Sequence, residues 1–116
     1  MRQILKDLNE ETGTLGSIVI TPDGILVAAA LNASLQEDAM AAFASSLLVS
    51  MKHRLAQLRA TSCLTCCTLK ASNGALMFLD MENAYLVLVA DPEGKLDPNV
   101  AAVQNAVHRI KNRRIA

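Results

Sequence analysis

The sequence predicts an α+β fold in which a five-stranded, mostly antiparallel sheet is sandwiched by helices. Leu35 to Arg59 contains no glycine or proline and is rich in alanine, leucine and methionine, which predicts one long helix. Short apolar runs joined by compact turns precede and follow this stretch, a pattern typical of antiparallel strands. The predicted order is α-β-β-α-β-β-β-α, within a single domain spanning residues 1–116.

The first three elements follow from helical spacing and turn chemistry. Arg2 to Thr12 carries apolar residues at helical spacing, and Gly13 is a typical helix stop. Leu15 to Thr21 and Ile25 to Ala30 are apolar runs on either side of a Pro-Asp-Gly turn at residues 22–24. We therefore expect a short helix followed by a β-hairpin.

The central helix has a predicted start and a predicted core face. Ser34 can cap its first turn, and Glu37 stands three residues later as the capping-box partner. Large apolar side chains repeat on one side of the helix, and we expect them to face the sheet. They are Met40, Leu47, Leu48, Met51, Leu55 and Leu58.

A second line on the same helix consists mainly of small residues. Ala42, Ser46 and Ser50 are spaced by four, Ala39 lies beside them, and Phe43 lies between this line and the core face. Alanine and serine are common on exposed helices, so a weakly polar surface is one interpretation. The other is a seam against a second helix, contributed by another subunit, and we favour this interpretation.

Three strands and a helix are predicted after the central helix. Ser62 to Lys70, Ala75 to Met81 and Ala84 to Ala90 are linked by short turns at residues 72–74 and 82–83, which predicts a meander. Asn99 to Arg114 follows an Asp-Pro pair and predicts the last helix. The expected apolar stripe of that helix is Val100, Val103, Val107 and Ile110.

The cysteines form a C-x-x-C-C pattern that superficially suggests metal or redox chemistry. Cys63 and Cys67 would share one face of a strand while Cys66 points to the other, which is unsuitable for a chelate. Both histidines are distant in sequence, and zinc sites ordinarily need four ligands. We therefore expect packing, no metal and no cofactor, with a thiol-based small-molecule sensor as an open alternative.

Composition excludes several classes of partner. Eleven basic and eleven acidic residues give zero net charge, which argues against binding nucleic acid or an anionic membrane surface. No apolar run reaches the roughly 18 residues of a membrane span, and the amphipathic N-terminus lacks the apolar core of a signal peptide. We therefore expect no membrane insertion and a cytoplasmic location. No phosphate-binding loop or catalytic constellation is present, so we expect no enzymatic activity.

Taken in order, these elements resemble the Roadblock/LC7 family, whose layers are like those of profilin. The resemblance covers essentially the whole chain and depends on the order and spacing of individually weak motifs. The motifs are Leu8, Gly16, Asp23-Gly24, Glu37-Asp38-Ala39, Asn73-Gly74 and the strand from Ala84 to Val89.

The resemblance implies a homodimer in which the central helices pair and the third strands join edge to edge. An apolar, nearly uncharged third strand also favours such pairing, because an open edge of this kind is prone to aggregate. The expected interface comprises Ala39, Ala42, Phe43, Ser46, Ser50, Cys63, Thr65 and Cys67.

The resemblance also implies function. Prokaryotic members similar to MglB act on Ras-like small GTPases as activating partners or scaffolds, and they arrange the GTPase's own catalytic residues. This chain is therefore expected to be a non-catalytic regulator or scaffold, and a structural light-chain-type adaptor of a larger complex is the alternative. Expected contacts to the GTPase come from Ser45, Lys52, His53 and Arg54 on the central helix.

Overall fold

In the computed structural model, three helices and five strands follow the predicted order. The structure describes residues 1–32, 35–57, 65–72, 74–92, 96–97 and 99–115, with side chains described as far as residue 112. The elements are α1 (Arg2–Thr12), β1 (Gly16–Ile20), β2 (Leu26–Leu31), α2 (Glu37–Gln57), β3 (Cys66–Ala71), β4 (Gly74–Asp80), β5 (Tyr85–Ala90) and α3 (Ala101–Ile115).

The five strands form one sheet in the order β2-β1-β5-β4-β3. Every pair of neighbouring strands is antiparallel, so the predicted hairpin and meander are both confirmed. The hairpin joins the meander because β1 pairs with β5, in a register that places Ile18 opposite Val87. β2 and β3 are left as the two edges of the sheet.

Alternating side chains divide the interior into two cores, one on each face of the sheet. On one face, α1 and α3 bury Leu5, Leu8 and Ile110 against Leu86 and Leu88 of β5. On the other face, α2 contributes two of the eight buried residues of a second cluster. The eight residues are Ile18, Ile20, Ala29, Ala44, Leu48, Phe78, Tyr85 and Val87. The predicted sandwich of helices around a sheet is therefore confirmed.

The central helix begins two residues later than predicted. The first helical hydrogen bond joins the Met40 N–H to the Gln36 carbonyl, so Gln36 takes the cap position. The predicted cap, Ser34, and the predicted last two residues, Leu58 and Arg59, lie outside the described residues. Glu37 forms an ion pair with Arg2 of α1, with 3.4 Å between Oε1 and the guanidinium.

The predicted core face of α2 was only partly right. Ala41, Ala44 and Leu48 are buried, whereas the predicted residues Met40, Leu47, Met51 and Leu55 are half-buried. Small alanine side chains let α2 lie close to β1 and β2, while Leu47 and Met51, which are partly buried, pack against the cluster under the helix. The predicted face was chosen from the large apolar residues of the helix, so it did not include the buried alanines Ala41 and Ala44.

Two further boundaries differ from the predictions by more than one residue. β3 begins at Cys66, because Thr65 is not part of the strand and residues 58–64 lie outside the described residues. α3 begins at Ala101, so Val100 precedes the helix and is 43% exposed rather than in its buried stripe. Val103, Val107 and Ile110 are buried as predicted, together with Ala106.

Candidate interaction surface beside the central helix

The α2 helix covers only part of its face of the sheet. It packs against β1 and β2, at one side of the sheet. The opposite side of the same face, formed by β3 and β4, lies beside α2 without a helix of the described chain above it. The result is an apolar groove that runs between α2 and the β3 edge.

This groove has a volume of about 450 Å³. Met40, Phe43 and Leu47 form its helical wall, and Leu69 and Leu76 form much of its floor. The side chain of Phe43 is 52% exposed and that of Leu69 is 38% exposed. Exposed large apolar side chains that converge on one cleft are typical of a protein-protein contact.

The edge strand beside the groove is also open. From Thr68 to Ala71 every residue of β3 is exposed, and its only charged residue is Lys70. Natural edge strands are usually protected by charges, prolines or bulges, so an edge of this kind favours pairing with another strand. The predicted interface residues Thr65 and Cys67 lie just before this edge and within it.

The small-residue line faces solvent. Ala39, Ala42, Ser46 and Ser50 are all exposed on α2, while Phe43 lies at the border of the groove. The eighth predicted interface residue, Cys63, lies outside the described residues. The single protomer thus shows two adjacent free surfaces on α2, a small-residue face and a large-residue wall.

Ser45 joins α2 to the β1–β2 turn. Its hydroxyl lies 2.9 Å from the carbonyl oxygen of Gly24 and 2.7 Å from that of Ala41. Gly24 has a φ of 91°, and a Cβ at this position would lie 2.7 Å from the Ser45 Oγ. Ser45 is half-buried, so its predicted contact with a GTPase stays a prediction, and its observed role is to seat the turn against the helix.

We expect Gly24→Ala to destabilise the fold by about 2–3 kcal/mol, because it combines positive φ with a close contact. In a Ser45→Gly background the same substitution should cost only about 1–2 kcal/mol, since the close contact is removed and the φ penalty remains. Urea unfolding of the four variants measures both costs. Equal costs in the two backgrounds would show that Ser45 does not restrict the turn.

The other three predicted partner residues are exposed on the last turns of α2. Lys52 places its Nζ 5.0 Å from the ring centroid of Tyr85, close enough for a cation–π contact. The Nε2 atom of His53 lies 3.3 Å from the Gln57 amide nitrogen. Arg54 is exposed. These side chains are therefore displayed near one another on the helix, and Lys52 is partly held in place.

The two described cysteines lie on opposite faces of the sheet, as predicted. Cys66 packs against the core under α1 and α3, and Cys67 packs against the core under α2. Burial raises the pKa of the Cys66 thiol, the adjacent Cys67 raises it further, and a hydrogen bond with Thr68 partly opposes both effects. A raised pKa reduces the thiolate fraction at neutral pH, which disfavours thiol-based chemistry at Cys66.

We expect Cys66 to react with iodoacetamide more slowly at pH 7.5 than a free cysteine derivative does, because less of it is ionised. The alkylation rate at Cys66 should rise with pH along a curve that lies at higher pH than the curve of the free cysteine derivative. Mass spectrometry with fragment ions that separate Cys66 from Cys67 gives the rate at each site. Alkylation of Cys66 faster than the free thiol would support the sensor alternative instead.

Across the ranges of the chain that the structure describes, no three histidine, cysteine or acidic side chains are grouped as metal ligands. No helix within those ranges is long and apolar enough to cross a lipid bilayer.

Sequence reasoning missed the floor of the groove. Leu69, Leu76 and Val89 contribute to it from three different strands, and Met40 and Leu47 had been expected in the core. Period-two alternation places Leu69 and Leu76 on one face of the sheet. It does not reveal that α2 leaves this part of the face uncovered, because that depends on where the helix crosses the sheet.

Comparisons with known proteins agree with this architecture. MglB from Myxococcus xanthus superposes with a TM-score of 0.82 at 13% identity, covering 98% of this chain and 86% of that chain. The gliding protein MglB from Thermus thermophilus gives a TM-score of 0.75 at 19% identity, covering 95% and 84%. Profilin II from Acanthamoeba castellanii gives a TM-score of 0.58 at 12% identity, covering 94% of each chain.

At these identities the structural matches establish the fold alone. No curated protein sequence matches the chain at a significant level. The family model of the Roadblock/LC7 domain matches residues 2–90, from the start of α1 to the end of β5. That span contains the groove, the β3 edge and the whole of α2. The chain therefore belongs to the Roadblock/LC7 domain family.

Proposed function

We propose that residues 1–116 act as one Roadblock/LC7 domain that forms a homodimer and binds a Ras-like small GTPase as a non-catalytic regulator or scaffold. The observation that carries this proposal is the apolar groove beside the open β3 edge. Both features lie on the same side of the molecule, so one partner can cover them together.

A second copy of the chain is the occupant that suits both features. A two-fold axis beside β3 would pair β3 with its own copy in the antiparallel sense and extend the sheet. The same axis would bring the partner's α2 alongside this α2, over the exposed floor of the groove. Phe43 and Leu69 would then be covered without any change in the fold of the protomer.

The charge of the groove supports self-association. Lys70 is the only charged residue among those that line it, and the helical wall carries none. Two identical apolar surfaces can meet without burying unpaired charges, which would otherwise be costly. Obligate homodimer interfaces are typically of this apolar kind.

The GTPase would bind on the outer face of α2, which stays exposed after such pairing. This face displays Val49, followed by Lys52 and His53, and it includes Ala42 and Ser46, which the sequence analysis expected at the dimer seam instead. Small side chains allow close approach, Val49 is 56% exposed, and the basic end can contact acidic or phosphate-proximal loops. Two paired helices would double this face. Regulation would arise from positioning the GTPase's own residues, and Arg54 is not assigned to the GTPase active site.

Binding should be measured with a Ras-like GTPase encoded in the same genome, loaded with GDP or with a non-hydrolysable GTP analogue. We expect tighter binding to the GTP-like form. Val49→Lys should weaken binding to the GTP-like form at least tenfold. The matched control Val100→Lys, on the other face of the sheet, should leave this binding unchanged. Equal affinity for both nucleotide states, or none, would reject the regulatory role and leave the adaptor alternative.

Hydrolysis is a separate question within the same proposal. GTP hydrolysis by the GTPase, measured with and without a saturating concentration of this protein, distinguishes activation from scaffolding. We expect that any stimulation survives Arg54→Ala, because the proposed role uses no arginine supplied in trans. Loss of stimulation in that variant, with binding unchanged, would assign a catalytic contribution to Arg54.

A further inference from the structure

We propose that the turn between β1 and β2, residues 21–25, is a second part of the GTPase-binding surface. In this proposal Ile25 is an apolar contact residue, and Ser45 is the positioning residue that holds the turn against α2. The inference rests on the proposed function and deepens it, because it adds a loop from the sheet to the surface that carries Val49.

Hydrogen bonds within the turn fix its backbone. The Thr21 N–H donates to the Ile25 carbonyl at 2.9 Å, and the Ile25 N–H donates to the Thr21 hydroxyl at 2.9 Å. The Gly24 N–H donates to the Thr21 carbonyl, also at 2.9 Å. The Ser45 hydroxyl, 2.9 Å from the Gly24 carbonyl oxygen, links the closed turn to α2. The turn is therefore ordered before any partner binds.

Ile25 is displayed on this rigid support. Its side chain is 64% exposed, the largest value among the large apolar side chains that the structure describes. A single exposed apolar side chain is ordinary on a protein surface. One whose backbone is already fixed can be covered by a partner at a low cost in entropy, which favours binding. Ile25 therefore has the properties of an interface anchor.

Val49 lies on the same side of α2 as the turn. Ser45 and Val49 are four residues apart in the helix, so their side chains are neighbours on its surface. Ser45 contacts the turn, and Val49 is 56% exposed, second only to Ile25 among the described large apolar side chains. The two most exposed of these side chains thus lie on adjoining segments that Ser45 links.

Charged residues border this apolar pair and indicate the kind of partner. Asp23 is exposed in the turn, and Lys52 and His53 are exposed on the helix just beyond Val49. An apolar centre with a charged rim is typical of a surface that binds a separately folded protein reversibly. The groove beside β3 differs, because Lys70 is the only charged residue in its lining. A regulator must release its GTPase, so the bordered surface suits the GTPase and the groove suits the permanent partner.

The position of the turn also favours the GTPase over a second copy. The turn joins β1 to β2, at the end of the sheet opposite β3. A closed two-fold dimer through β3 leaves the turn exposed on both protomers. A further self-contact at the turn would need another symmetry axis, whereas a GTPase needs none.

The test measures, by calorimetry, binding of the Ras-like GTPase encoded in the same genome and loaded with a non-hydrolysable GTP analogue. Ile25→Ala should weaken binding at least about tenfold, because it truncates an anchor of the interface. The matched control Val100→Ala also truncates an exposed side chain, on the other face of the sheet, and should stay within about twofold. Circular dichroism should show that both variants are folded.

A double-mutant cycle tests the positioning role of Ser45. Ser45→Ala removes the link to the turn and should weaken binding about three- to tenfold, but less than about twofold in an Ile25→Ala background. Thr21→Val removes the acceptor of the Ile25 N–H and should show the same dependence on Ile25. A merely structural role of Ser45 would weaken binding equally in both backgrounds.

The outcomes separate this inference from the proposed function. If Ile25→Ala binds within about twofold of the unchanged protein while Val49→Lys loses tenfold, the turn is not part of the surface and the proposed function stands. Equal weakening by Ser45→Ala in both backgrounds would overturn the positioning role. Loss of self-association in Ile25→Ala would make a second copy the occupant. Failure of the unchanged protein to bind in either nucleotide state would reject both proposals.

Discussion

Replacing Leu69 with lysine is expected to convert the homodimer into a monomer that is still folded. Leu69 is 38% exposed in the protomer, so the substitution removes little from either core. In the proposed dimer its side chain lies on the covered floor of the groove, where an ammonium group would be desolvated without a partner. Losing an apolar anchor at the centre of an interface typically costs at least about 2 kcal/mol, or roughly thirtyfold in dissociation constant.

The matched control for this variant is Val100→Lys, which adds the same charge at a similarly exposed valine on the other face of the sheet. Sedimentation across a concentration series should show a dimer for the control and a monomer for Leu69→Lys. Circular dichroism should be unchanged in both. If Leu69→Lys stays dimeric while Ala42→Arg or Ser46→Arg is monomeric, the seam lies on the small-residue face instead.

Truncating Leu48 to alanine is expected to lower the free energy of unfolding by about 3–4 kcal/mol. Leu48 is fully buried and is the one large buried side chain on the described part of α2. It packs among Ile18, Phe78 and Val87, so its removal leaves a cavity between the helix and the sheet. The remaining buried residues of α2 are alanines and cannot fill that space.

The neighbouring residue provides the control. Val49 is 56% exposed, and Val49→Ala should change stability by no more than about 0.5 kcal/mol. Denaturant unfolding of both variants, fitted with the same dependence of the free energy of unfolding on denaturant concentration, compares the two losses of stability. A small loss at Leu48, similar to that at Val49, would mean that α2 is not anchored to the sheet through this residue.

Most of the fold could be predicted from the sequence because local signals were strong and mutually consistent. Gly13 closes α1 in a left-handed conformation with φ of 70°, as a helix stop should. The Pro-Asp-Gly turn and the alternation in the later strands gave the antiparallel order. A prediction for α3 failed at Val100, because the apolar stripe continues before the first helical turn.

The candidate site was harder to predict because it depends on distances between elements. Phe43 was identified from the helix alone, since a large residue stood beside a small-residue line. Leu69 and Leu76 were not, because the sequence does not reveal that α2 crosses β1 and β2. Nor does the sequence reveal that the Ser45 hydroxyl bonds the Gly24 carbonyl, because this contact joins residues 21 positions apart, and the predicted contact of Ser45 with a GTPase stays a prediction.

The most direct test of the central proposal is the mass of the chain in solution by light scattering, alone and with the GTPase in each nucleotide state. The proposal predicts twice the 12.4 kDa mass of one chain, and a larger complex that forms preferentially with the GTP-loaded protein. A monomer at micromolar concentration would contradict the dimer. A dimer that forms no complex in either nucleotide state would contradict the regulatory role.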